Sequence, residues 1–140
     1  MSRKKSRQEP EGIPDDHPRK VQRLEGHTSA EQALAGAWAA GRMPHAWLIT
    51  GPRGVGKATL AYRFARFLMV NGLPPDDGGL FGDAPEAPAT LAVDPEAGPA
   101  RRVGEASHPD LMTLTREPND QGNMRAEITV DQVRRAGRFL

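Results

Sequence analysis

The most regular hydrophobic pattern in the chain covers residues 45–71. A short apolar segment, residues 46–49, is followed by a glycine-rich stretch and then by apolar side chains three and four positions apart. This pattern predicts a buried β-strand, a turn and an amphipathic helix beginning at Lys57, which packs on a sheet. Arg63 and Arg66 lie off the apolar face and are expected in solvent, with contact to a partner or a phosphate as the alternative. The predicted face consists of Leu60, Ala61, Phe64, Ala65, Phe67 and Leu68.

A second helical pattern begins at Thr28. Thr28 and Glu31 have the spacing of a capping box, in which each side chain bonds to a backbone N–H at the other position. Gly41 is predicted to end this helix as a left-handed cap. Its predicted apolar face consists of Ala30, Ala33, Leu34, Ala37 and Trp38.

The last third of the chain contains weaker signals. Residues 107–110, Ser-His-Pro-Asp, predict a turn, and residues 111–115 predict a second strand. Gly122 and Asn123 mark a loop. Asp131 is predicted to cap a final helix that carries Val133, Ala136 and Leu140.

Composition changes this picture at two segments. Residues 1–20 combine a basic cluster with prolines and almost no apolar residues, which predicts a disordered tail. Residues 72–100 are rich in Pro, Gly, Asp and Ala, which predicts a flexible insert of undefined structure. The remaining residues, from 21 onward, are predicted to form one α/β domain.

Charge and cysteine content exclude several classes of protein. The 140 residues carry a net charge of +1, which by itself does not indicate nucleic-acid binding. The sequence has no cysteine, so disulfides and thiolate metal sites are excluded. We expect no signal peptide and no membrane span, because the basic start lacks a following apolar segment. The expected compartment is the cytoplasm.

The glycine-rich stretch carries the main candidate chemistry. Residues 51–57 match the phosphate-binding pattern G-x-x-x-x-G-K between a predicted strand and a predicted helix. Glycines allow positive φ angles that direct backbone N–H groups toward an anion, and the lysine adds a cation. The alternative is a glycine turn that binds no ligand. The candidate binding residues are Gly51, Pro52, Arg53, Gly54, Val55, Gly56, Lys57, Ala58 and Thr59.

One position departs from the pattern. The residue after the lysine is normally Ser or Thr, whose hydroxyl binds Mg²⁺, and here it is Ala58. Thr59 is no simple substitute, because one step along a helix rotates the side chain by about 100°. We therefore expect the phosphate cradle without its metal ligand, an arrangement that does not favour hydrolysis of ATP by this chain. No catalytic residue is assigned.

Together with the loop, five further segments resemble the delta-prime family of bacterial DNA polymerase III subunits. In chain order these are residues 26–27, 41–48, 62–68, 107–111 and 128–134. The resemblance covers residues 26–140 apart from the insert. It implies a P-loop NTPase fold of the AAA+ class, with a three-layer parallel sheet that is incomplete in this chain. An acidic metal-binding strand, an arginine finger and a collar domain would follow residue 140, so we expect the chain to be the amino-terminal part of a longer protein.

The resemblance also implies a function. Such subunits belong to a five-membered clamp loader, which places the sliding clamp on primed DNA, and their own nucleotide site is often degenerate. ATP is then bound weakly or not at all, and Mg²⁺ only together with ATP. Many relatives carry a four-cysteine zinc module where this chain has residues 72–99, so no zinc is expected. Two alternatives remain: a self-sufficient P-loop ATPase or kinase that tolerates Ala58, and a structural fragment without function.

Overall fold

A computed structural model describes residues 12–73 and 86–139 of the chain. Within these residues it contains four α-helices, α1 (Thr28–Ala39), α2 (Lys57–Asn71), α3 (Gly98–Gly104) and α4 (Val130–Phe139). The chain divides into two compact units at residues 107 and 108. The first unit contains α1, α2 and α3, and the second contains α4. Among the described residues, no helix is long and apolar enough to span a membrane.

Helix α1 begins and ends close to the predicted residues. Gly41 adopts a φ of 63° and donates its N–H to the Trp38 carbonyl at 3.0 Å, while Arg42 donates to Ala37 at 3.1 Å. This pair of bonds is the Schellman arrangement, and it confirms the left-handed cap. The capping box is wrong: the N-cap residue is His27, and no side chain caps the helix. The carboxylate of Glu31 instead binds Arg63 on α2.

The core of the first unit lies between α1 and α2. The predicted α2 face is correct at its centre, but Ala61 is exposed, and the α1 face is shifted because Ala35 and Ala39 are buried and Ala33 is exposed. Trp38 packs edge-on against Phe67 with ring centroids 5.1 Å apart. The main buried cluster consists of Leu34, Ala35, Leu60, Phe64, Phe67 and Leu91.

Parts of the predicted tail and insert belong to this unit. Arg19 is 8% exposed, so ordered structure begins before the predicted boundary at residue 20. Leu91 is fully buried, and α3, which the sequence interpretation missed, buries Ala100 and Val103. The second half of the predicted insert is therefore part of the core. Residues 1–11, 74–85 and 140, and the predictions that concern them, including Leu140 on the final helix, lie outside the described residues.

The two predicted strands are not formed among the described residues. Residues 46–49 and 111–115 carry no ladder, and the β-pairing in this part of the chain is one isolated bridge between Pro118 and Met124. A strand is defined by hydrogen bonds to a neighbouring strand, and neither segment has such a neighbour here. Residue 49 still packs on the α1–α2 core, and Trp47 lies edge-on to Phe64 at 6.3 Å.

The second unit is a small hairpin followed by α4. Asn119 organises the hairpin, since its side-chain oxygen accepts the N–H groups of Gln121 at 3.0 Å and Asn123 at 2.9 Å. Helix α4 is capped by Thr129 rather than by the predicted Asp131. Thr129 accepts from the Gln132 N–H, and the Gln132 side chain accepts from the Thr129 N–H at 2.9 Å. This is a capping box, and the buried Gln132 also donates to the Thr115 carbonyl at 2.8 Å.

Candidate functional site

The glycine-rich loop adopts the backbone that its sequence predicts. Gly51, Gly54 and Gly56 have φ angles of 145°, 85° and 94°. An L-residue with a Cβ rarely adopts these values, so glycine is required at each position. Gly56 is the N-cap of α2, and no side chain caps that helix end. The loop therefore delivers the chain directly to an open helix N-terminus, where the helix dipole is positive.

The backbone amides of the loop and of the start of α2 are the candidate donors of this site. The first helical hydrogen bond runs from the Leu60 N–H to the Gly56 carbonyl at 2.9 Å. Among the described residues, no backbone carbonyl accepts a hydrogen bond from the N–H groups of residues 53–58. Such donors are normally satisfied by a side chain, water or a ligand. A row of unpaired N–H groups at a positive helix end is a suitable site for an anion.

Lys57 lies across the loop. Its ammonium donates to the Gly51 carbonyl at 2.7 Å and to the Pro52 carbonyl at 2.6 Å. An ammonium has three donor hydrogens, so one remains for an anion. The two carbonyls thus hold the cation at the loop without blocking it.

The loop and the start of α2 line an open pocket of about 520 Å³. Seven of the nine candidate residues line it. The other two are Pro52, whose carbonyl accepts from Lys57, and Val55, whose carbonyl contacts His27. Arg53 and Lys57 supply positive charge, and none of the described lining residues is acidic. The lining residues are Pro18, Gly51, Arg53, Gly54, Gly56, Lys57, Ala58 and Thr59.

The position after Lys57, where the motif normally has a hydroxyl, is at the pocket. Ala58 is exposed at the pocket and offers only a methyl group, whereas Thr59 is 8% exposed and belongs largely to the buried side of α2. The pocket therefore offers donors to phosphate oxygens, but its helix lacks the hydroxyl that would bind Mg²⁺ in this motif.

The segment before α1 also contacts the loop, and the motif did not predict this. The imidazole Nε2 of His27 contacts the Val55 carbonyl. A Cβ on Gly56 would lie 3.1 Å from a Leu24 methyl carbon and 3.4 Å from His27 Nε2. Pro18 lines the pocket. The available sequence signal is the Gly26-His27 pair, which forms part of the family resemblance.

Arg66 and Arg63 are not solvent-exposed, contrary to prediction. Arg66 is 1% exposed, and its guanidinium donates to the carbonyls of Arg19 and, at 3.0 Å, Val21. Burial lowers the pKa of Arg66, and the nearby charge of Arg63 lowers it further. Arg63 binds the Glu31 carboxylate, the Gln22 carbonyl and, at 3.0 Å, the Thr90 hydroxyl. Both arginines therefore fix neighbouring segments to α2 instead of contacting a ligand.

The second unit contains a pocket of different character, with a volume of about 640 Å³. Arg134 pairs with Asp131 at 3.5 Å, and Arg135 pairs with Glu117 at 3.2 Å. The acids therefore compensate much of the positive charge, and the loop pocket is the stronger candidate for an anion. The charged residues that line the second pocket are Glu117, Asp120, Arg125, Asp131, Arg134, Arg135 and Arg138.

Comparison with known proteins gives one family. No curated protein and no solved structure matches the chain. The family model described as "DNA polymerase III, delta subunit" matches residues 26–140, which include the phosphate loop, most of the first unit and all of the second. That match covers most of the chain, and it confirms a polymerase III subunit of clamp-loader type. The chain therefore belongs to the DNA polymerase III delta-subunit family, whose function is in DNA replication.

Proposed function

We propose that this chain is a delta-prime-type subunit of the clamp loader, which binds phosphate groups at its loop but does not hydrolyse ATP. The single observation that carries this proposal is the loop that keeps its amide donors and Lys57 while Ala58 replaces the metal-binding hydroxyl. The family match supports the replication context. The self-sufficient P-loop ATPase or kinase is the alternative.

The proposed fold is the AAA+ P-loop domain that the family resemblance implies. In that fold, residues 46–49 and 111–115 are β-strands of a parallel sheet. The position of residue 49 on the α1–α2 core supports this, since one face of a first strand packs against such helices. The proposed partners are the other subunits of a cytoplasmic hetero-pentamer and, through it, the sliding clamp and primed DNA.

In the proposed site, the phosphates of ATP bind to the N–H groups of residues 53–58 and to Lys57. Arg53 adds a second cation at the rim of the pocket. Because both cations belong to the protein, binding does not require a metal to neutralise the phosphates. A nucleotide held in this way stabilises the fold and is not turned over.

Anion binding is tested by titrating the protein with ATP and with inorganic tripolyphosphate, each with Mg²⁺ and with EDTA. We expect similar affinity under both conditions and no phosphate release. Lys57→Ala should weaken binding about tenfold to a hundredfold, since a charge-assisted hydrogen bond is lost. Lys20→Ala is the matched control, because Lys20 pairs with Asp15 at 3.1 Å and does not line the pocket.

Two results would contradict this proposal. Tighter binding with Mg²⁺ together with turnover would favour the ATPase or kinase. Absence of tripolyphosphate binding in the unmodified protein would remove the phosphate site. The assembly part is tested separately by gel filtration with the clamp-loader ATPase subunits of the same organism, where we expect one stable complex.

A further inference from the structure

The phosphate loop is in contact with the residue that immediately precedes α1. His27 is the N-cap of α1, and its carbonyl accepts the Glu31 N–H at 2.9 Å. The backbone of His27 is thus fixed by the helix. Its half-buried side chain extends to the loop, where Nε2 contacts the Val55 carbonyl.

The chemistry of this contact defines the state of the imidazole. A carbonyl oxygen can only accept a hydrogen bond, so Nε2 must carry the proton. The contact also fixes the plane of the peptide between Val55 and Gly56. The described part of the chain contains no cis peptide bond, and in a trans peptide the C=O and the following N–H point in opposite directions.

We propose that His27 is a positioning residue for anion binding: by holding the Val55 carbonyl, it turns the Gly56 N–H into the pocket. Gly56 lines that pocket, and its N–H has no backbone acceptor among the described residues. Without the imidazole the peptide can rotate, because glycine tolerates both orientations. The Gly56 donor would then point at the anion for only part of the time.

The packing around Gly56 supports this role. Leu24 and His27 occupy the side of Gly56 where a Cβ would project, at 3.1 Å and 3.4 Å. The loop is therefore closed on the side of residues 24–27 and open on the side of the pocket. A peptide clamped from one side presents its donor on the other.

The inference rests on the proposed phosphate site, and the experiment separates the two. Tripolyphosphate is titrated in EDTA into the unmodified protein, His27→Ala, His27→Gln and the control His45→Ala, with detection by calorimetry and by the Gly56 amide signal in ¹⁵N NMR. His45 is exposed and does not line the pocket. Glutamine is the conservative variant, because its side-chain amide carries a donor at a similar distance from the backbone.

We expect His27→Ala to weaken binding about tenfold, the effect of one well-placed hydrogen bond, and to reduce the shift of the Gly56 amide on titration. His27→Gln should restore the affinity to within about threefold, and His45→Ala should leave it unchanged. A role in stability alone would not move the Gly56 amide shift at saturation. In the unmodified protein, ¹⁵N spectra of the imidazole should show the proton on Nε2.

Equal affinity of His27→Ala and the unmodified protein would overturn the role of His27 and leave the phosphate site intact. A proton on Nδ1 in the neutral imidazole would also overturn it. If the unmodified protein binds no tripolyphosphate, the phosphate site and the role of His27 fail together. In that case the unmodified protein and Lys57→Ala give the same titration curve.

Discussion

The two units of the chain use arginine in different ways. In the first unit, Arg66 is 1% exposed and donates to two backbone carbonyls, and Arg63 bonds to three separate segments. In the second unit, the side chains of Arg134 and Arg135 are 73% and 52% exposed, and each pairs with one carboxylate. A buried guanidinium must have its donors satisfied, so it fixes the segments that satisfy them. An exposed one is hydrated and fixes little.

Apolar residues show the same difference. The first unit buries Leu60, Phe67 and Leu91 almost completely, whereas Val130 and Val133 in the second unit are 66% and 56% exposed. Three helices and the segment before α3 can enclose a core. One helix of ten residues and a hairpin cannot, and a helix of that length is marginal in water. The first unit should therefore carry most of the folding free energy.

The largest expected effect is at Leu91, in the segment predicted to be a flexible insert. Leu91→Ala should lower the free energy of unfolding by about 3 kcal/mol, because it leaves a cavity in the main cluster. Urea denaturation followed by tryptophan fluorescence measures this, since both tryptophans, Trp38 and Trp47, belong to the first unit.

The control for Leu91 is Leu48→Ala, at a side chain 89% exposed, which should change stability by less than about 0.5 kcal/mol. Equal effects of the two substitutions would mean that the segment containing Leu91 is not part of the core.

The next largest effect is expected at Arg66. Arg66→Met should cost about 2 kcal/mol, because the carbonyls of Arg19 and Val21 lose their donors inside the protein. Burial lowers the pKa of Arg66, which means that the charged guanidinium is desolvated at a cost in free energy. Arg66→Met removes this cost, and the removal offsets part of the destabilisation. Hydrogen exchange of the amides in α2 measures the change.

The same substitution at Arg138 in the second unit should change the exchange of α4 by less than about 0.5 kcal/mol, because that side chain lies at the surface. Stabilisation of α2 by Arg66→Met would mean that the carbonyls of Arg19 and Val21 find other donors. The difference in stability between the two units would then not depend on the buried arginine.

The sequence predicted the features whose causes are local. The spacing of apolar residues predicts α1, α2 and α4, and Gly41 is predicted to be a cap because only glycine readily adopts a φ such as its 63°. The positive φ angles of the phosphate loop follow from the same property. Periodicity does not predict the burial of Arg66, because an apolar pattern places polar residues in solvent and contains no information on the carbonyls that surround them.

Other features depend on distant residues or on weak signals. Helix α3 has seven residues in a Pro- and Gly-rich region, and its packing against α2 is not visible in its own sequence. His27 reaches Val55 across 28 positions of the chain. Strands at residues 46–49 and 111–115 require neighbours that the described residues do not provide. The capping box of α4, by contrast, is visible in the sequence as Thr-x-x-Gln, and the prediction of Asp131 as the cap is wrong.

The smallest expected effect concerns that capping box, the feature through which the second unit most resembles the first. Gln132 is 2% exposed and joins the start of α4 to the Thr115 carbonyl, as Arg66 joins α2 to its neighbours. Gln132→Ala should destabilise α4 by about 1 kcal/mol, measured by hydrogen exchange of its amides. Gln121→Ala, at an exposed position in the hairpin, is the control and should have no effect. A loss confined to α4 would mean that the second unit depends on one buried polar side chain. No change would mean that exposed residues alone hold the helix, and the contrast with the first unit would be complete.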